Sequence, residues 1–251
     1  MWVIDTGLLG SIQHCPPQLL LFDLETDTLV ERYRFNTPVY TPSASLLITP
    51  VIHTRDPPPM GNCKNTMVYI ADAGFHGLIV YDQMNKKAWR AENKFMYPSP
   101  QHGTHTIAGE RFTLMDGIFG MSTDKINLYF HPLASVGEYA VPLRVLNNST
   151  IWDEDVEAME NEFVELGLRS SECGQEAMDS RKNLYCVTFN PVKLTSWNTN
   201  SPYRNLREIP IDGRLAEFVS GMKVVSNQGV EELWFVSNRF QVGYKISTDY
   251  L

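Results

Sequence analysis

No run of about 18 apolar residues occurs in this sequence, so nothing in it reads as a membrane-crossing helix. Clusters of basic residues are missing too. Lys and Arg number 21 against 29 Asp and Glu, which leaves a net charge of -8 and an isoelectric point near 5.3. A phosphate-binding face has nothing to be built from, and nucleic acid is excluded as a partner. No two of the four cysteines form a C-x-x-C pair, which argues against a zinc site. The G-x-S-x-G elbow, the P-loop, H-E-x-x-H and G-x-G-x-x-G are all absent, and no cofactor is expected. The chain opens on "MWVIDTG", a strand pattern without the charged and apolar regions of a leader, so the signal segment of a secreted protein is expected upstream.

What is present is an ordinary globular composition, 43% hydrophobic and 20% charged over 251 residues. Cys15 and Cys63 sit in Pro- and Gly-flanked segments, whereas Cys173 and Cys186 bracket a turn and the strand after it. Four cysteines allow three pairings; the expected one is Cys15–Cys63 with Cys173–Cys186, four reduced thiols being the alternative. In "LNNST", Asn147 and Asn148 each begin an N-x-S/T glycosylation triplet. Cysteines and triplets together point to an oxidising, extracellular setting.

Short apolar strands recur along the chain, each closed by a polar residue and a turn. Trp2, Val68, Asn127, Leu184 and Leu233 begin comparable strands, roughly 50–65 residues apart. A loose all-β repeat of this length predicts a propeller with four-stranded blades, of which this chain holds four to five. One segment, "WDEDVEAMENEFVEL" over 152–166, reads as a helix or as a solvated insertion.

Candidate chemistry gathers where strands end. Asp5, Asp72 and Asp116 stand in "VIDTG", "IADAG" and "LMDGI", where a carboxylate serves as a general base or as an Asx turn. His76 follows Phe75 in a glycine turn and is a further candidate base. His102 and His105 form "HGTH", which has no third metal ligand, and no metal site is expected there. In "ELWFVSNRFQ" a strand places Asn238 and then Phe240 on one face, an amide beside an aromatic ring. Such a pair suits the mouth of a ligand site, the amide oxygen accepting from an ammonium and the ring attracting the cation. Asn238 and Asp72 supply too few oxygens for a channel calcium ion.

The stretches "CPPQLLLFDL", "YIADAGFHGLIVYD", "RFTLMDGIFGM", "LYFHPLAS", "WNTNSPY" and "SNRFQ", in this order from residue 15 to 241, resemble the Yellow / major royal jelly protein family of insects. The resemblance implies a single secreted, glycosylated six-bladed propeller domain over 1–251, truncated at both ends here. It implies that Asn238 and Phe240 hold a small aromatic amine at one end of the central channel, and that His131 in "YFHPLAS" is structural. The function expected first is binding of a catechol- or indole-amine-like molecule linked to melanin and cuticle. Dopachrome conversion is the alternative, with Asp5, Asp72, Asp116 or His76 as base, and a structural cuticle or eggshell protein is the second alternative.

Overall fold

The computed structural model describes residues 1–249. Its strands form seven antiparallel sheets: two are two-stranded hairpins in connecting segments, Leu8–Leu9 with Ile12–Gln13 and Thr104–Ile107 with Glu110–Thr113, and the other five follow one another along the chain. The first holds Trp2–Asp5, Gln18–Asp23 and Thr28–Arg34. Three four-stranded sheets follow: Leu47–Thr54 to Lys87–Ala91, Ile118–Thr123 to Val164–Leu168, and Cys173–Met178 to Arg207–Pro210. The fifth pairs Phe218–Asn227 with Val230–Asn238 and runs into the helix Phe240–Asp249. These five sheets, the first three-stranded and the last two-stranded among the described residues, are the blades of a β-propeller, within the four to five that the repeat predicts.

The second blade shows why the sequence folds this way. Thr66–Asp72 is buried along its whole length, and so is Gly77–Tyr81, because neighbouring blades cover both faces. Side chains alternate across a strand. Met67, Tyr69 and Ala71 therefore meet Ile118, Leu128 and Phe130 of the third blade. Val68 and Ile70, with Ile79 and Tyr81, turn to Leu19 and Phe35 on the first-blade side. A continuous apolar run is thus two half-cores back to back, and burial of each large side chain stabilises by about 1.5–3 kcal/mol.

The first strands of blades two to five, beginning at Leu47, Ile118, Cys173 and Phe218, touch in succession and wall a common axis. The first blade's last strand leads toward Leu47 as every outer strand leads to the next inner one, so Trp2–Asp5 corresponds to a second strand. Its end at Asp5 then shares one face of the wheel, here the upper face, with the second-strand ends at Asp72, Pro132, Phe189 and Asn238.

Two expectations are corrected. Of the two readings of the 152–166 segment the single helix is corrected and the solvated insertion holds: a short helix, Ser149–Trp152, gives way to exposed turns, a 3-10 turn at Glu160–Glu162 and then the strand Val164–Leu168. Trp152 and Phe163 are both anchored in the core. Between them, acids at helical spacing such as Asp153 and Glu157 would repel one another. The second correction is the Cys15–Cys63 bridge. Both are exposed free thiols. Cys15 lies in the loop after Asp5 on the upper face, while Cys63 follows Leu47–Thr54 on the lower face, a full strand length away. A disulfide needs Cα atoms within about 7 Å.

Cys173 and Cys186 are joined, tying the inner to the second strand of the fourth blade across 13 residues. Closing a loop of this size stabilises by about 3 kcal/mol in the chain-entropy model. Two thiols should therefore react in the native protein and four after denaturation in reductant, with a lower melting temperature once the bridge is reduced. Labelling of Cys173 in the native, unreduced protein would contradict this.

Candidate functional site

Each of the four inner strands carries a β-bulge at a corresponding level. The register slips at Thr49, at Phe119, across Gly174–Gln175 and at Ser220. A bulge leaves an extra residue unpaired and re-aims its side chain. Gln175 Nε2 donates to Thr49 Oγ1 at 2.6 Å and to the Phe119 carbonyl at 2.6 Å. Thr49 Oγ1 donates to the same carbonyl at 3.1 Å. Three blades are tied together at this level by one amide.

Around the upper end of the inner strands lies a cluster of rings. Phe218 stacks on Phe189 at 5.3 Å and on Phe240 at 4.9 Å, and meets Phe119 edge-on at 5.8 Å. Phe112 and Tyr244 close it from outside. Phe240 is thus a half-buried member of this cluster. Asn238 is exposed, and both ends of its amide are engaged. Nδ2 donates to Ser220 Oγ at 2.9 Å, while Oδ1 accepts from the Phe240 N–H at 2.8 Å. The amide fixes the turn that carries the Phe240 ring, with one oxygen lone pair and one N–H left over.

The three aspartates differ sharply. Asp5 Oδ2 accepts from Gln18 Nε2 at 2.8 Å and Oδ1 from the Gly7 N–H at 3.0 Å. The Gln18 bond, then that of Gly7, hold its pKa below the usual carboxylate value. Asp72 is fully buried: Oδ1 accepts from the Leu46 and Phe75 N–H groups, Oδ2 from Ser45 Oγ at 2.5 Å and Arg90 Nη1 at 2.8 Å. Arg90 also donates to the Phe75 carbonyl and pairs with Glu92. Gly77 leaves room for this guanidinium, since a Cβ there would lie 2.3 Å from Arg90 Nη2.

Asp116 stands apart. Its carboxyl is half-buried and has no hydrogen-bond or ion-pair partner among the described residues. Burial alone pushes its pKa up to about 6. The segment carrying it also supplies Phe112, Leu114 and Phe119 to the ring cluster. His76 lies next to it in space: a Cβ on Gly117 would sit 2.9 Å from His76 Nδ1. His76 itself has a left-handed backbone, contacts the Ala73 carbonyl at 3.1 Å through Nδ1, and faces the Tyr97 ring.

The other histidines serve elsewhere. His102 pairs with Glu172 at 2.8 Å, whereas His105 is buried with Nε2 on the Leu114 carbonyl, so the two do not converge on one point. His131 belongs to a buried charge cluster between blades three and four that sequence reading missed. Nδ1 lies 2.9 Å from Glu176 and 3.3 Å from Glu138, and Arg169 pairs with Glu138. Among the described residues, this His–Glu–Glu trio is the one group with ligand atoms close enough for a metal ion. Two carboxylates and Arg169 leave one negative charge, which one proton balances and a divalent cation would overshoot. The donor set fits a proton better than a metal.

A cavity of about 360 Å³ opens beside Phe189, lined also by Asn190 and Glu217. Asn238, Phe240 and Asp116 are not among its walls, and Phe189 borders both this cavity and the ring cluster. Of the two glycosylation triplets, Asn148 is exposed, while Asn147 is half-buried and accepts from Tyr69 OH at 2.7 Å.

Comparison with known proteins agrees with this architecture. The family model described as "Major royal jelly protein" matches residues 1–250. The chain is 27% identical to a dopaminechrome tautomerase of Drosophila melanogaster, over 100% of this chain and 56% of that protein. It is 26% identical to major royal jelly protein 9 of Apis mellifera (96% and 58%), and 28% identical to the protein yellow of Drosophila melanogaster (100% and 47%). It therefore spans about half the length of these curated relatives. Among solved structures, a streptogramin B lyase superposes with a TM-score of 0.50 at 14% identity, covering 90% of this chain and 57% of the lyase, a likeness of fold alone. With the family model matching almost end to end, the chain belongs to the major royal jelly protein family.

Proposed function

We propose that this protein binds a small aromatic molecule bearing an amine, of the catechol- or indole-amine type, at the upper mouth of its channel. The observation that carries the reading is Asp116, a half-buried carboxylate without a protein partner, on the segment that feeds the ring cluster. A carboxylate in this state is short of a counter-charge, and an ammonium supplies one. The half-buried rings of Phe240 and Phe119, backed by the buried Phe218, offer surface for stacking and for cation–π attraction. Asn238 holds Phe240 in place and keeps a lone pair for the same ammonium. Secretion belongs to this reading, supported by the Cys173–Cys186 bridge, with Asn148 the better exposed glycan acceptor.

A second reading, dopachrome-type tautomerisation, is favoured by the raised pKa of Asp116 and by the likeness to a dopaminechrome tautomerase. A base takes a proton from a ring carbon, the electron pair moves into the aromatising ring, and the quinone oxygen is protonated. A carboxyl titrating near 6 is well matched to that task at neutral pH. The rate would then rise as pH increases through about 6, following the Asp116 anion.

Calorimetry against dopamine and serotonin, with dopachrome decay followed optically, tests both. Asp116→Asn should leave the fold intact, since no protein partner is lost. It should weaken amine binding by about tenfold or more, the loss of one charge-assisted contact. Turnover should vanish if the second reading holds. Unchanged affinity and rate in this variant would sink both, and a wild-type protein that neither binds nor converts would leave the structural alternative.

A further inference from the structure

We propose that Gln175 is the ligand-reading residue at the floor of the channel site, its Oε1 accepting a hydrogen bond from a ring hydroxyl of the bound aromatic. The inference rests on the binding reading above and extends it to a residue that neither the motifs nor the family resemblance marks.

The orientation of the amide follows from its partners. The Phe119 carbonyl only accepts, so the atom 2.6 Å from it must be the N–H₂ end. Thr49 Oγ1 spends its hydrogen on that carbonyl and so receives the second Nε2 hydrogen. Both donors of Gln175 are then used, and the carboxamide is locked between the second and third blades. Oε1 is left with no partner among the described residues, although Gln175 is only 6% exposed. It is not one of the sealed, unsatisfied oxygens of the interior, so it opens onto accessible space. Thr49, Phe119 and Gln175 are each a bulge residue of an inner strand, which sets this oxygen at the axis rather than in a blade.

A fixed acceptor with accessible space before it selects for a donor. A ligand that lacks one leaves Oε1 desolvated and unpaired, a larger penalty than the bond's own net worth. With the ammonium taken by Asp116 at the rim, the donor reaching the floor is a hydroxyl at the far end of the ring. Gln175 would thereby separate catechol and phenol amines from their unsubstituted counterparts, as sites built to bond a hydroxyl do.

Dopamine and phenethylamine differ only in the two ring hydroxyls and are the probes. The wild-type chain should bind dopamine roughly tenfold more tightly. Gln175→Met, close in shape but without the acceptor, should bring the ratio near one while phenethylamine affinity stays within about twofold. Should Gln175→Met fail to melt cooperatively, Thr49→Val keeps the oxygen but releases one of its two anchors, and the ratio should fall by part of that amount. A dopamine preference retained in both variants overturns the proposal while leaving the binding site intact. A wild-type protein that binds neither amine overturns the binding reading itself, and this proposal with it.

Discussion

Replacing Asp72 by Ala is expected to lower the unfolding free energy by about 3–5 kcal/mol, the usual cost of removing one partner from a buried ion pair. The side chain is fully buried and accepts four hydrogen bonds: two from backbone N–H groups, one from Ser45 and one from Arg90. Leu46 and Ser45 lie in the loop entering the second blade, Phe75 in the turn between its second and third strands, and Arg90 on its outermost strand. One carboxylate therefore fastens three segments of the upper face. Its loss strands a guanidinium that is only 6% exposed, with Glu92 as its remaining ionic partner. The double variant Asp72→Ala/Arg90→Met should recover part of the loss, because the uncompensated charge goes with it. Urea unfolding of both variants measures this, and a loss below about 1 kcal/mol would refute the clamp. With every favourable acceptor position occupied, the same geometry leaves Asp72 no room to act as a base.

That result bears on what could be read before folding. Strand–Asp–Gly–strand units such as "YIADAGFHGLIVYD" expose the blade plan because alternation and turn chemistry are local, and a repeat multiplies the signal. Asp5 and Asp72 were visible as turn residues for the same reason. What distinguishes Asp116 from them is the lack of partners, which no spacing encodes. Gln175 was invisible because a bulge exists only once two strands have paired, and Thr49 is 126 residues away along the chain. In the fifth blade the strand of "ELWFVSN" was legible from its alternation, but the bonds by which the Asn238 amide fixes its own turn, to Ser220 and from the Phe240 N–H, form only once the two strands pair. Glu138, Arg169 and Glu176 were missed because each is a single charge in an unremarkable strand or strand end, joined only when blades three and four meet.

The cluster they form with His131 should make this protein less stable as pH rises from neutral into the alkaline range. His131 Nε2 lies 2.8 Å from the Gly174 carbonyl, which can only accept, so that nitrogen carries a hydrogen. Nδ1 faces Glu176 at 2.9 Å, and a second proton must lie between them. With Arg169 on Glu138, two cations and two anions then balance inside the interface. Burial and Arg169 push the imidazole toward neutrality, but the bonds from Glu138 and Glu176 outweigh them and hold its pKa at about 9. A folded-state pKa above the ordinary 6.5 means stability fully present below 6.5 and lost as pH rises through 9, amounting to about 3 kcal/mol. Glu176 acts in the same direction: burial, then the charge of Glu138, raise its pKa to about 7, so the native state again holds the proton longer. The two share one proton, and their effects do not add. Unfolding free energies at pH 6.5 and 9.5 should therefore differ in the wild type, and His131→Gln should flatten the difference. Equal slopes in the two proteins would disprove the shared proton. Arg169→Met should have the larger effect at neutral pH: it leaves the buried Glu138 without its guanidinium partner and should cost about 3–5 kcal/mol. Exchanging both, as Arg169→Met/Glu138→Gln, should return much of that, since the isolated charge rather than the missing bond is what the interface between these blades cannot tolerate.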